Sequence, residues 1–214
     1  MSLAAVEHRA NDDQLTIFGA FHPREEDKAP PDTGTLILLG PHEPGFWPMF
    51  ETSPELRDGK SDPLDRWSQR VITRLAAELG AEPYFPFGGP PFQPFIRWAH
   101  GSGRAHQSPV GLLVHDVAGL MVSYRGALAF PERLDLPENP PSPCLSCEDR
   151  PCISACPVDA FGQGFYDVPT CKADLEREGN DCMARGCAVR RACPASQAYA
   201  RAEAQSAFHM EAFR

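Results

Sequence analysis

Eight cysteines stand in this chain of 214 residues, all of them between positions 144 and 193. Thiolates are soft ligands, and cysteines a few residues apart on a loop offer several of them to one centre, as iron-sulfur clusters require. The first run reads Cys144-x2-Cys147-x4-Cys152-x3-Cys156-Pro157 and differs in one spacing from the bacterial run of three close cysteines followed by Cys-Pro. The second, Cys171-x10-Cys182-x4-Cys187-x5-Cys193-Pro194, repeats that design more loosely. In two-cluster proteins the cysteine before the proline ligates the neighbouring cluster. That rule assigns Cys144, Cys147, Cys152 and Cys193 to one 4Fe-4S cluster and Cys156, Cys171, Cys182 and Cys187 to the other. Ligands that cross in this way tie the two runs together and bring the clusters within reach for electron transfer. Val158-Asp159-Ala160 reads as the start of the turn out of the first site.

Other cysteine chemistry stays open at this point. Structural zinc takes four cysteines at short spacing, and Cys182-x4-Cys187 suits it, which would make the chain a zinc-stabilised interaction protein. Disulfides need an oxidising compartment, and the opening MSLAAVEHRANDD lacks the basic start and apolar centre of a secretory signal, so a cytoplasmic location with reduced thiols is expected. A net charge of −9 argues against nucleic-acid phosphates as partners. Nor does any apolar run approach the roughly 18–20 residues of a membrane helix, so no membrane is expected either.

The elements that must position the cysteines are of mixed type, which predicts an α+β chain. Leu3 to Ala10 reads as a short helix, Leu15 to His22 and Thr35 to Gly40 as strands, and Phe46 to Phe50 as a helix start. The clearest helix runs from Asp62 to Gly80, with Asp62 as N-cap, Pro63 in the first turn, an apolar stripe of Leu64, Trp67, Val71, Leu75 and Leu79, and Gly80 as the stop. Residues 81–95 are too rich in Pro and Gly for more than a brief strand, and their aromatics read mainly as cover for the core. Gly111 to His115 and Gly119 to Phe130 read as a β-hairpin turning at Asp116 to Ala118. Residues 131–143 read as a Pro-rich linker and Ala195 to Phe213 as a closing helix. The expected domains are therefore residues 1–135 and 136–214.

The first cysteine run with its Cys-Pro-Val-Asp-Ala tail resembles a bacterial-type ferredoxin domain. With the lone Cys171 and a second group ending in Cys-Pro, the stretch is similar to the C-terminal two-cluster module of epoxyqueuosine reductases and reductive dehalogenases. Ahead of it, His115-Asp-Val-Ala-Gly119-Leu-Met-Val-Ser-Tyr-Arg125-Gly126 resembles a stretch of the cobalamin-processing protein of the methylmalonic aciduria type C family. These resemblances imply a nitroreductase-like N-terminal domain followed by a small ferredoxin-like domain. They also imply a corrinoid (cobalamin) or flavin on the N-terminal domain, held by His115, Gly119, Arg125 and Gly126. There Arg125 would hold a propionamide or phosphate, and Gly126 would let backbone approach a flat ring. His115 taken alone reads more simply as a strand-end histidine satisfied by hydrogen bonds. Epoxyqueuosine reductases carry an acidic residue that looks catalytic where this chain has Phe87-Gly-Gly-Pro-Pro, so the resemblance implies electron delivery more than that particular reaction. The function expected is electron transfer through two clusters, either within a cobalamin-dependent or cobalamin-reducing oxidoreductase or, alternatively, in a non-enzymatic ferredoxin that docks on a separate redox protein as donor or acceptor.

Overall fold

The computed structural model describes residues 1–162 and 164–214. In chain order the elements are α1 (Leu3–Asn11), β1 (Leu15–Phe21), β2 (Thr35–Pro41), α2 (Phe46–Glu51), α3 (Pro54–Arg57), α4 (Pro63–Leu79), β3 (Glu82–Tyr84), α5 (Phe95–Gly101), β4 (Ala105–Gln107), β5 (Leu113–His115) and β6 (Gly126–Phe130). There follow α6 (Val168–Leu175), α7 (Cys182–Arg185), α8 (Ala188–Ala192), α9 (Pro194–Ala198) and α10 (Glu203–Phe213), with short 3-10 turns at Glu25–Asp27, Pro143–Leu145 and Pro151–Ile153. The chain is of mixed α+β type with two small sheets. It divides into two compact units, one of residues 1–104 and 123–140, the other of residues 105–122 and 141–214. Neither the expected boundary at 135 nor a simple N-to-C order describes this division.

In the first unit, four antiparallel strands lie in the order β1-β2-β6-β3. Every residue of β2 and β6 is buried, as befits strands with neighbours on both sides and cover on their faces. The expected stripe of α4 is buried along its length, joined by Ser68, Ile72 and Ala76. A Cβ on Gly126 would meet Ile72 Cδ1 at 2.7 Å, so the glycine is what lets α4 lie close on β6. Gly80 closes α4 in the left-handed region (φ 70°), where Ala81 N–H reaches the Ala76 carbonyl at 2.9 Å. Asp62 stands at the N-cap position but is itself left-handed (φ 51°), and its side chain makes no cap bond. Phe46, Phe50 and Trp67 pack as an aromatic cluster beside this layer. In the 81–95 stretch Phe95 is buried against Trp98, while Phe92 is exposed.

Residues 131–134 are stitched to β2 and are not a free linker. Thr35 Oγ1 donates to the Glu132 carbonyl (2.7 Å) and accepts from Leu134 N–H (2.8 Å), and the Leu134 side chain is buried.

The hairpin expected over 111–130 is absent among the described residues. A reversal at Asp116–Ala118 does form, with His115 and Gly119 exchanging both backbone hydrogen bonds (3.0 and 2.9 Å). Beyond it the two halves part: β5 pairs with β4 in the second unit, and β6 enters the first unit between β2 and β3. The small residues Gly126, Ala127 and Ala129 suit a strand sandwiched on both faces, and that demand overrides local pairing.

The core of the second unit joins Val114 and Leu120 to Val189, Cys152 and Cys193. Leu120 N–H donates to Ser196 Oγ at 2.8 Å, which binds the 105–122 segment to α9. The closing helix is broken: α9 ends at Ala198, Ala200 turns left-handed (φ 57°), and α10 starts at Glu203.

Candidate metal centre

Prolines set the local geometry of three of the first four cysteines. Pro143 and Pro151 each occupy an opening position of a 3-10 turn, and these turns carry Cys144 and Cys152; Pro194 opens α9 directly after Cys193. A fixed φ and a missing N–H are tolerated there, so the turn is set by the residue next to the ligand. Cys144, Cys147, Cys152 and Cys193 all line one cavity, with Val114 and Leu120 among its apolar walls. Burial, then the neighbouring Cys193, pushes the Cys144 thiol above its ordinary pKa. The same two causes raise Cys152, with Cys144 and Cys147 adding to them.

The second four come from four separate places. Cys156 precedes a turn in which Ala160 N–H donates to its sulfur (3.3 Å), Cys171 lies on α6, Cys182 opens α7, and Cys187 caps α8. Burial raises Cys171, against a hydrogen bond from Tyr166, with Cys187 and Cys156 adding to the rise. Burial likewise raises Cys182, with Ala188 N–H opposing and Cys187 adding. All eight cysteines are free thiols. The cysteines that act on Cys144 and Cys152 are Cys193, Cys144 and Cys147, and those that act on Cys171 and Cys182 are Cys187 and Cys156.

Thiols gathered this way cannot all ionise alone, because each thiolate raises the cost of the next in a part-buried site. A cationic centre that binds them removes that penalty and releases their protons. Among the described residues no three His, Cys, Asp or Glu side chains converge closely enough to hold a single metal ion. Four sulfurs on one zinc at 2.3 Å stand roughly 3.8 Å apart by tetrahedral geometry. The ligands of a cuboidal cluster each meet their own iron and are spread more widely.

The four residues carried over for a corrinoid or flavin each have structural work. His115 is fully buried; its Nδ1 accepts from Val117 and Ala118 N–H (3.1 and 3.2 Å) and its Nε2 faces Asp116 Oδ1 at 3.2 Å. This is the strand-end histidine satisfied by hydrogen bonds. Gly119 sits at φ 55°, where a Cβ would come 2.3 Å from Ser196 N. Arg125 pairs with Asp65 across 3.8 Å. Gly126 admits α4, as described above. His115 and Gly119 belong to the second unit, Arg125 and Gly126 to the first.

Two residues that no spacing pattern singles out stand beside the second cysteine set. Tyr166 donates its hydroxyl to Cys171 Sγ at 3.2 Å, and its ring stacks on Phe161 (4.4 Å between centroids) with Phe213 near-parallel at 6.2 Å. Arg190 donates through Nη1 to the Leu120 carbonyl and lies three residues beyond Cys187 on α8. Sequence offers only a weak sign of the second: Arg190 and Arg191 are adjacent, and which of them turns inward depends on the phase of α8.

No protein-family model, curated protein or solved structure matches the chain.

Proposed function

We propose that the second unit is a ferredoxin-type electron-transfer module holding two 4Fe-4S clusters, one on Cys144, Cys147, Cys152 and Cys193, the other on Cys156, Cys171, Cys182 and Cys187. The observation that carries this is the crossing: Cys193, from the second run, lines the same cavity as three cysteines of the first. When bound, such clusters take up and release single electrons at potentials set by hydrogen bonds, charge and exposure. The chain's own part is to hold the thiolates in place through the proline-led turns, to close the first set against solvent with Val114 and Leu120, and to tie Cys193 to the rest through α8 and α9.

A carrier that serves a separate redox protein is favoured over a corrinoid reductase. What favours it is that His115, Gly119, Arg125 and Gly126 all have structural partners within their own units. The nitroreductase-like, cobalamin-processing-like reading of the first unit therefore hangs on one titration, with hydroxocobalamin. A carrier leaves the cobalamin spectrum unchanged; a shift on mixing, lost in Arg125→Ala, would reinstate the corrinoid.

The deciding experiment for the clusters is iron, labile sulfide and zinc per chain, with an electronic spectrum, on protein purified without oxygen. About eight irons and eight sulfides are expected from two clusters of four. About four of each would confine the function to one cluster. Zinc without sulfide would replace it with an interaction module.

A further inference from the structure

The two cysteine sets differ in what surrounds them. Tyr166 makes a direct hydroxyl bond to Cys171 Sγ (3.2 Å), and the ring that carries it stacks on Phe161 and lies near-parallel to Phe213. Arg190 stands three residues beyond Cys187, one turn into α8, donates to the Leu120 carbonyl, and has no carboxylate partner among the described residues. A buried cation without a counter-charge is costly unless negative charge stands nearby. Thiolates of the second set, once they hold a cluster, would supply that charge.

The first set has weaker counterparts. Ser142 lies beside Cys144: its oxygen accepts the Cys144 N–H in a long bond (3.4 Å), and its hydroxyl also favours the Cys144 thiolate. Arg150 acts on Cys144 from an exposed position, where water screens it.

Reduction by one electron makes a cluster and its thiolates more negative, and hydrogen-bond donors and buried cations stabilise that form. We infer that Tyr166 and Arg190 give the second set the higher reduction potential of the two, so that an electron entering at Cys144, Cys147, Cys152 and Cys193 comes to rest at Cys156, Cys171, Cys182 and Cys187. One electron moves, the first centre is oxidised by one unit and the second reduced by one, and no bond or proton changes hands. The electron originates from an external one-electron reductant, dithionite in the test. Tyr166 and Arg190 are positioning residues, and the cluster pair that they act on is the one proposed above.

The test is a potentiometric titration of the whole, anaerobically purified chain, followed by electron paramagnetic resonance. Two couples are expected, and Tyr166→Phe should move only the higher one downward. At its original midpoint the ratio of reduced to oxidised form should fall roughly tenfold, about 59 mV for a one-electron couple. Arg190→Gln should act in the same direction, and Arg150→Gln should leave both couples in place. In the Cys152→Ser background, expected to keep only the second centre, Tyr166→Phe must shift the remaining couple. A shift of the lower couple, or no shift at full iron content, would overturn the assignment of these residues while leaving the clusters. Wild-type protein without iron and sulfide would overturn both. Should Arg190→Gln fail to fold, Tyr166→Phe alone decides, because it removes one oxygen and keeps the ring stack.

Discussion

At the scale of single residues, each cysteine set stands or falls by its own members. Cys152→Ser and Cys187→Ser should each lose about half the iron, since each removes a ligand from one of two centres. Iron per chain checks this, and an undiminished content in Cys187→Ser would mean that the second set holds no cluster. Gly119 makes a sharper structural demand. At φ 55° and with Ser196 N only 2.3 Å from where a Cβ would stand, Gly119→Ala should cost roughly 2–3 kcal/mol of stability, measurable by thermal unfolding. Of the two cysteine sets read from spacing, the structure brings the four members of the first to one cavity, a grouping legible because the cysteines recur at short intervals and close on Cys-Pro. Gly119 and Arg125 were legible only as residues of note. Their partners, Ser196 and Asp65, lie 77 and 60 positions away, and only folding brings such pairs together.

Among the elements, α4 could be read almost whole, since its stripe, proline and closing glycine each express a local rule. Asp62 is the N-cap residue as read, but it lies in the left-handed region instead of the extended one that a following proline favours, and it makes no side-chain cap bond; Ser53 before Pro54 is extended and caps Leu56 N–H. The misread hairpin had its own cause. A run of small and apolar residues with a turn before it satisfies the local pattern for pairing, but β6 is buried on every residue and finds its partners in β2 and β3. α3 gives a prediction of its own. Glu55 receives Arg70 Nε at 2.5 Å and Nη2 at 3.0 Å, and that hydrogen bonding holds its carboxyl below the ordinary range. A depressed folded pKa contributes stability that is present above the unfolded value, about pH 4.5, and is lost as pH falls through the folded one. Glu55→Gln should therefore cost about 1 kcal/mol at neutral pH, the guanidinium being half exposed, and should flatten the acid limb of the stability curve. Unfolding midpoints at pH 3, 4 and 7 measure both effects.

For the whole molecule, the division into two units predicts how protection against hydrogen exchange is shared. Removing the iron of the proposed clusters should expose peptides from 105–122 together with those from 141–214, because Val114 and Leu120 share a core with Cys152 and Cys193. Peptides from 1–104 should keep their protection, and if the 105–122 peptides followed them instead, the division would be wrong. Among the described residues no helix is long and apolar enough to cross a membrane. The same division bears on the order of synthesis. On the ribosome the 105–122 segment emerges before β6, so the first sheet cannot close until a stretch that does not belong to it has already passed. Leu120 must then wait for Ser196, 76 residues later, before its N–H is capped. A nascent chain stalled after 140 would hold a finished first sheet while Val114 and Leu120 still lacked the Cys152, Val189 and Cys193 side chains that cover them, apolar surface of the kind chaperones bind.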